Sequence, residues 1–180
     1  MKTALKFLTC LFLVGMVVSC SSDDDTPPIV NEEEIITTMT AVFTPMGGGT
    51  TVTLRIQDLD GDGPDAPVKT VSDPFSSGTV YNGTVQFLNE TETPADNITL
   101  EVEEEALEHQ VFYSVTNGLG TFAYTDMDSD GNPLGLTFTF TTPVIIMPAD
   151  GELTIVLRHE PNKNAAGVSD GDITNAGGET

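Results

Sequence analysis

The chain has 180 residues, 28 acidic against six basic side chains, a formal charge of −22, no tryptophan and two cysteines. Such an acidic surface repels nucleic acid and anionic lipid headgroups, which excludes a nucleic-acid-binding role. Both cysteines, Cys10 and Cys20, stand near the N-terminus, so the rest of the chain has no cysteine catalysis, thiolate metal site or disulfide.

Lys2 and Lys6 precede an apolar run, Phe7 to Val18, interrupted only by Thr9 and Gly15. The run is short for a membrane span and fits the h-region of a secretory signal. It ends in Val17-Val18-Ser19-Cys20, which resembles the lipobox of bacterial lipoproteins. The resemblance implies cleavage after residue 19, acylation of Cys20 and anchoring in the lipid bilayer by several acyl chains, which hold where one chain is marginal. Ser21 is not aspartate, which by the same analogy sends the product to the outer membrane. Asp23, Asp24 and Asp25 resemble the acidic surface-export tether of Bacteroidota lipoproteins. The predicted organisation is therefore a signal over 1–19, an acidic disordered tether over 20–34 and one domain over 35–180. Removal of the signal leaves Arg55, Lys69, Arg158 and Lys163 as the only cations.

Alternating runs of Thr, Val, Ile, Phe and Tyr follow, separated by turn residues, the pattern of an antiparallel sandwich. Strands are predicted near Ile35–Thr44, Thr50–Gln57, Val68–Ser72, Thr79–Leu88, Gln110–Val115, Gly120–Thr125, Leu136–Thr142 and Glu152–His159. Val52, Leu54 and Ile56 share one strand face, as do Leu136, Phe138 and Phe140. Turns are expected at Met46-Gly-Gly-Gly, Tyr81-Asn-Gly, Asn117-Gly, Asp130-Gly-Asn-Pro and Asp150-Gly.

Thr93-Pro-Ala-Asp opens like a helix, with Thr93 as N-cap, Pro94 at N1 and Asp96 at N3. Ile98, Val102 and Ala106 then fall on one face and glutamates on the other, which predicts a short crossing helix near 94–107. Asn97-Ile-Thr-Leu-Glu-Val also alternates, so a strand over Ile98–Val102 competes with it. Pro161 to Thr180 is small and polar and reads as loop. A sandwich would often supply one more strand there, so either the fold closes without it or the chain ends early.

Two loops spell DxDxDG: Asp58-Leu-Asp60-Gly-Asp62-Gly and Asp126-Met-Asp128-Ser-Asp130-Gly. The spacing gathers carboxylates on one side of a tight loop, as in the first half of an EF-hand, and makes Ca²⁺ the expected cofactor. Asp65 would add an oxygen to the first loop and Asn132 a carbonyl to the second. The bidentate glutamate at position 12 is missing, since Lys69 and Thr137 stand there. Asp-Gly is also the usual hairpin dipeptide, so plain turns are the competing reading.

His109 follows Glu108, and His159 precedes Glu160. Were their strands neighbours, the two imidazoles and a carboxylate would suit a transition metal, the basis of an alternative role in metal acquisition. Catalytic signatures such as HExxH and SxxK are absent from the sequence, and the expected role is non-enzymatic.

Asp58-Leu-Asp-Gly-Asp-Gly, Leu88-Asn-Glu-Thr-Glu-Thr-Pro-Ala-Asp-Asn-Ile-Thr, Glu108-His-Gln and Leu157-Arg-His-Glu-Pro-Asn-Lys together resemble a family of small Bacteroidota lipoproteins. The family often carries a periplasmic-binding-like label, yet a type 1 periplasmic-binding fold needs alternating strands and helices over a longer chain. Some of its members accompany TonB-dependent transporters, which implies an outer-membrane transporter as partner. The sequence thus predicts an all-β, mainly antiparallel, immunoglobulin-like β-sandwich with one short crossing helix.

Overall fold

A computed structural model of the chain describes residues 34–144 and 150–180; the signal, Cys20 and the tether up to residue 33 lie outside the described residues. Glu34 to Thr180 form one compact unit. Its strands are β1 (Thr38–Pro45), β2 (Val52–Gln57), β3 (Val68–Val71), β4 (Val80–Leu88), β5 (His109–Val115), β6 (Thr121–Tyr124), β7 (Thr137–Thr141) and β8 (Leu153–His159), with one helix, α1 (Ile98–Glu104). Each predicted strand is present, with ends displaced by one to three residues; β1 runs on to Pro45 and β5 begins a residue early, at His109.

Pairing is antiparallel throughout. Six strands form one sheet in the order β3-β2-β1-β4-β7-β6, and β5-β8 form a second. The chain is thus a sandwich-like all-β protein, divided six and two where an immunoglobulin constant domain divides four and three. Inward residues follow the period of two. Phe138 and Phe140 of β7 and Leu136 just before it are buried, as are Tyr81, Val85 and Phe87 of β4.

Two apolar clusters fill the interior. One gathers Ala41, Phe43, Val52, Tyr81, Phe138 and Phe140. Phe43 stands edge-on to Phe75, Phe138 and Phe140, with ring centroids 4.9–5.6 Å apart, a geometry that adds to the burial term. Gly83, expected in a turn at Tyr81-Asn-Gly, lies instead inside β4, where a Cβ would stand 2.0 Å from the Phe138 ring. The glycine therefore provides room for an aromatic ring, and the dipeptide does not turn.

The second cluster joins Val85, Phe87, Val111, Leu134 and Leu136 to Ile98 and Val102 of α1, with Ala106 at its margin. The helix is real but shorter than predicted, and its N-cap is Asn97 rather than Thr93. The reason is a pair of backbone hydrogen bonds between Asn89 and Asp96, which holds Asp96 extended until the helix begins.

The C-terminal residues form a further layer. Turns at Val168–Asp170 and Ile173–Asn175 place Val168 and Ala176 against Phe112, on the face of β5 opposite Val111. Gln110 donates through Nε2 to the Val168 carbonyl at 2.9 Å. In place of another strand, Glu179 makes a single bridge to His159, with N–H···O distances of 2.9 and 3.1 Å.

Candidate functional site

A groove of about 1040 Å³ opens between β2 and β3 on one side and β8 on the other. Its floor is apolar, from Leu54, Ile56, Val71, Phe75, Leu153 and Ile155, and Arg55 and Lys69 also line it. Arg55 is held at 2.7 Å by Glu90. Hydrogen bonds from Thr38 first, then Gln57 and Arg55, keep the Glu90 carboxyl below the usual glutamate range. Among the described residues, β8 pairs with β5 alone, apart from the Glu179 bridge, so the backbone edge over Leu153–Leu157 borders the groove unpaired. The far edge of β5 is covered, because Val111 donates to the Leu134 carbonyl at 2.7 Å. Sequence reading missed this groove, since its walls come from strands about a hundred residues apart.

The two DxDxDG loops adopt different structures. Asp58, Asp60, Asp62 and Asp65 are on exposed loop residues, except that Asp58 is half-buried. Asp58 Oδ1 accepts from the Gly61 N–H at 3.0 Å, and Asp60 Oδ2 from the Asp65 N–H at 3.2 Å. In the second loop, Asp126 accepts the N–H groups of Gly135 and Thr137, each at 2.8 Å. Asp128 is buried, and its Oδ1 accepts from the N–H groups of Asp130 and Asn132, each at 2.9 Å. Its Oδ2 faces the ammonium of Lys163, which also donates to the carbonyls of Ala106 and Pro133, at 2.6 and 3.2 Å. The cation at the second loop is therefore a lysine from the C-terminal layer. Burial alone would raise the Asp128 pKa; the bonds from Lys163, Asn132 and Asp130 outweigh it and hold the carboxyl below the usual aspartate range.

The histidines, distant in sequence, meet. β5 pairs with β8 so that His109 stands opposite His159. Both main-chain groups of His159 bond to Glu179, and the Glu160 N–H donates to the Glu108 carbonyl. His109 and His159 thus form a non-hydrogen-bonded pair, the position where cross-strand side chains come closest. Their rings stack with centroids 4.8 Å apart. His109 is fully buried. Its Nδ1 lies 3.2 Å from the Glu105 carbonyl, and its Nε2 lies 3.1 Å from Glu34 Oε1. The geometry at Nε2 does not make a hydrogen bond, and among the described residues that nitrogen has no hydrogen-bond partner.

Glu105, His109 and His159 bring ligand atoms within 4.8 Å of one another, and so do Glu108, His159 and Glu160 nearer the surface. Among the described residues these are the groups of that kind, and none of the DxDxDG aspartates belongs to either. Negative charge crowds the same corner: burial, then Glu34, Glu105 and Asp96, raise the pKa of Glu101.

No protein-family model, curated protein or solved structure matches the chain.

Proposed function

We propose that this chain is a lipid-anchored lipoprotein of the outer membrane, facing the cell surface, whose folded domain binds a partner and catalyses no reaction. The anchor in this reading is Cys20, on the strength of the lipobox-like Val17-Val18-Ser19-Cys20. The observation that carries the binding role is the groove between β3 and β8. Its volume is that of a ligand site, and its floor is apolar. A backbone edge unpaired among the described residues, beside an apolar floor, suits an extended segment, which would add main-chain hydrogen bonds to β8 and set its apolar side chains on Leu54 and Ile155. The partner proposed is an outer-membrane transporter, offering an apolar extended segment from a loop or terminus.

Photo-crosslinking in living cells tests this. A crosslinking residue in place of Val71 or Ile155 should capture a transporter, whereas one in place of Thr84, exposed on β4, should not. Capture from all three positions alike, or from none, overturns the groove as the binding site.

A further inference from the structure

We propose that His109 and His159 together bind one divalent ion of the zinc class, with carboxylates of Glu34 and Glu105 completing the shell. The site is separate from the groove and does not depend on the partner proposed for it.

The ring of His109 is fully buried. If Nδ1–H donates to the Glu105 carbonyl, 3.2 Å away, Nε2 carries a lone pair. The Glu34 carboxylate lies 3.1 Å from Nε2 but off the axis of that lone pair, without hydrogen-bond geometry. On this tautomer two acceptors lie side by side, an arrangement that a shared cation would hold. Two ligands about 2.0–2.2 Å from a shared ion at a tetrahedral angle stand about 3.3–3.6 Å apart, so the 3.1 Å pair need open by only a few tenths of an ångström to admit one. A histidine that ligates a metal commonly donates its other N–H to a backbone carbonyl, which is the role Glu105 fills here.

The second imidazole is supplied by strand pairing. His159 stands across the non-hydrogen-bonded pair, and its ligand atom falls within 4.8 Å of those of His109 and Glu105. The stacked rings must turn for both nitrogens to reach one ion; His159, with its side chain 17% exposed and its Nε2 3.8 Å from Glu108 Oε2, would exchange contacts of this kind for the ion. Two imidazoles and carboxylate oxygens form a borderline donor set that selects zinc-like ions over Mg²⁺ or Ca²⁺. Glu108 and Glu160 flank His159 on the outer side and mark the way in. Because Glu34 is where the compact unit begins, the ion would fasten that residue to the ends of β5 and β8.

The test uses the full-length protein, purified in detergent without a polyhistidine tag. Calorimetric titration with ZnCl₂ should give one site of micromolar affinity or tighter, and MgCl₂ should not compete. X-ray absorption of the zinc-loaded protein should show two imidazole nitrogens at about 2.0–2.1 Å. His159→Ala, at a partly exposed position, should weaken zinc binding by about tenfold or more. Glu34→Gln and Glu105→Gln should each weaken it, and Glu92→Gln, an exposed carboxylate elsewhere, should not. Absence of imidazole from the shell, unaltered binding by His159→Ala, or equal binding of Mg²⁺ overturns the site. Unchanged affinity in both Glu34→Gln and Glu105→Gln overturns the carboxylate assignment.

Discussion

The Lys163 ammonium lies 2.9 Å from Asp128 Oδ2, with both side chains sealed from solvent. This contact joins the loop after β6 to the C-terminal layer. Two carbonyls, those of Ala106 and Pro133, complete the ammonium's donors, so the buried charges satisfy each other. Lys163→Met should cost about 3–5 kcal/mol, because it leaves a buried carboxylate without its cation. Adding Asp128→Asn to that variant should restore part of the loss. Urea unfolding of each would show it, and a loss under about 1 kcal/mol in Lys163→Met would mean the pair is not structural.

The same pair sets a pH dependence. The folded Asp128 pKa is lowered, so its stabilisation is complete above the unfolded aspartate value of about 3.9 and is lost as pH falls through the lower folded value. The stability difference between the wild type and Asp128→Asn should hold steady from neutral pH to about pH 4 and shrink below it. A difference that shrinks already between pH 7 and 5 would contradict the sign.

Val102 is fully buried beneath α1, whereas Leu100 on the same helix is exposed. Val102→Asp should destabilise the fold by about 3 kcal/mol or more, and Leu100→Asp by less than about 0.5 kcal/mol. Equal shifts in Tm for the two would mean that the helix docks through another face.

Calcium is expected to act at the first DxDxDG loop, where the carboxylates are not paired with a buried cation among the described residues. Lacking a bidentate glutamate, the loop should bind with Kd of about 10⁻⁴–10⁻³ M. Millimolar CaCl₂ should raise Tm above an MgCl₂ control at matched ionic strength, and Asp60→Asn should abolish the difference. Asp128→Asn should lower Tm equally with and without calcium, because Lys163 already holds that carboxylate. If Ca²⁺ stabilises no more than Mg²⁺, the effect is charge screening and the loop is a turn.

Cys20→Ala should move the protein from the membrane fraction to the soluble fraction. Replacing Asp23, Asp24 and Asp25 with alanine should preserve membrane attachment but reduce protease accessibility in intact cells. Membrane association that survives Cys20→Ala would refute the lipid anchor.

The strands were legible in the sequence because alternation is a local property: Val52, Leu54 and Ile56, or Phe138 and Phe140, declare a face without reference to any partner. The helix was legible through Ile98 and Val102, though its start was not, since the Asn89–Asp96 pairing that delays it joins residues across a turn. Other features depended on distant segments and could be decided only by the tertiary structure. Register placed His109 against His159, fifty residues apart, and topology left β8 facing β3 across a groove. A polar C-terminal stretch with no periodic signal became a packed layer, because Val168 and Ala176 found Phe112 and Lys163 found Asp128. Local patterns choose which face of an element is buried; only the assembled sheets determine what that face meets.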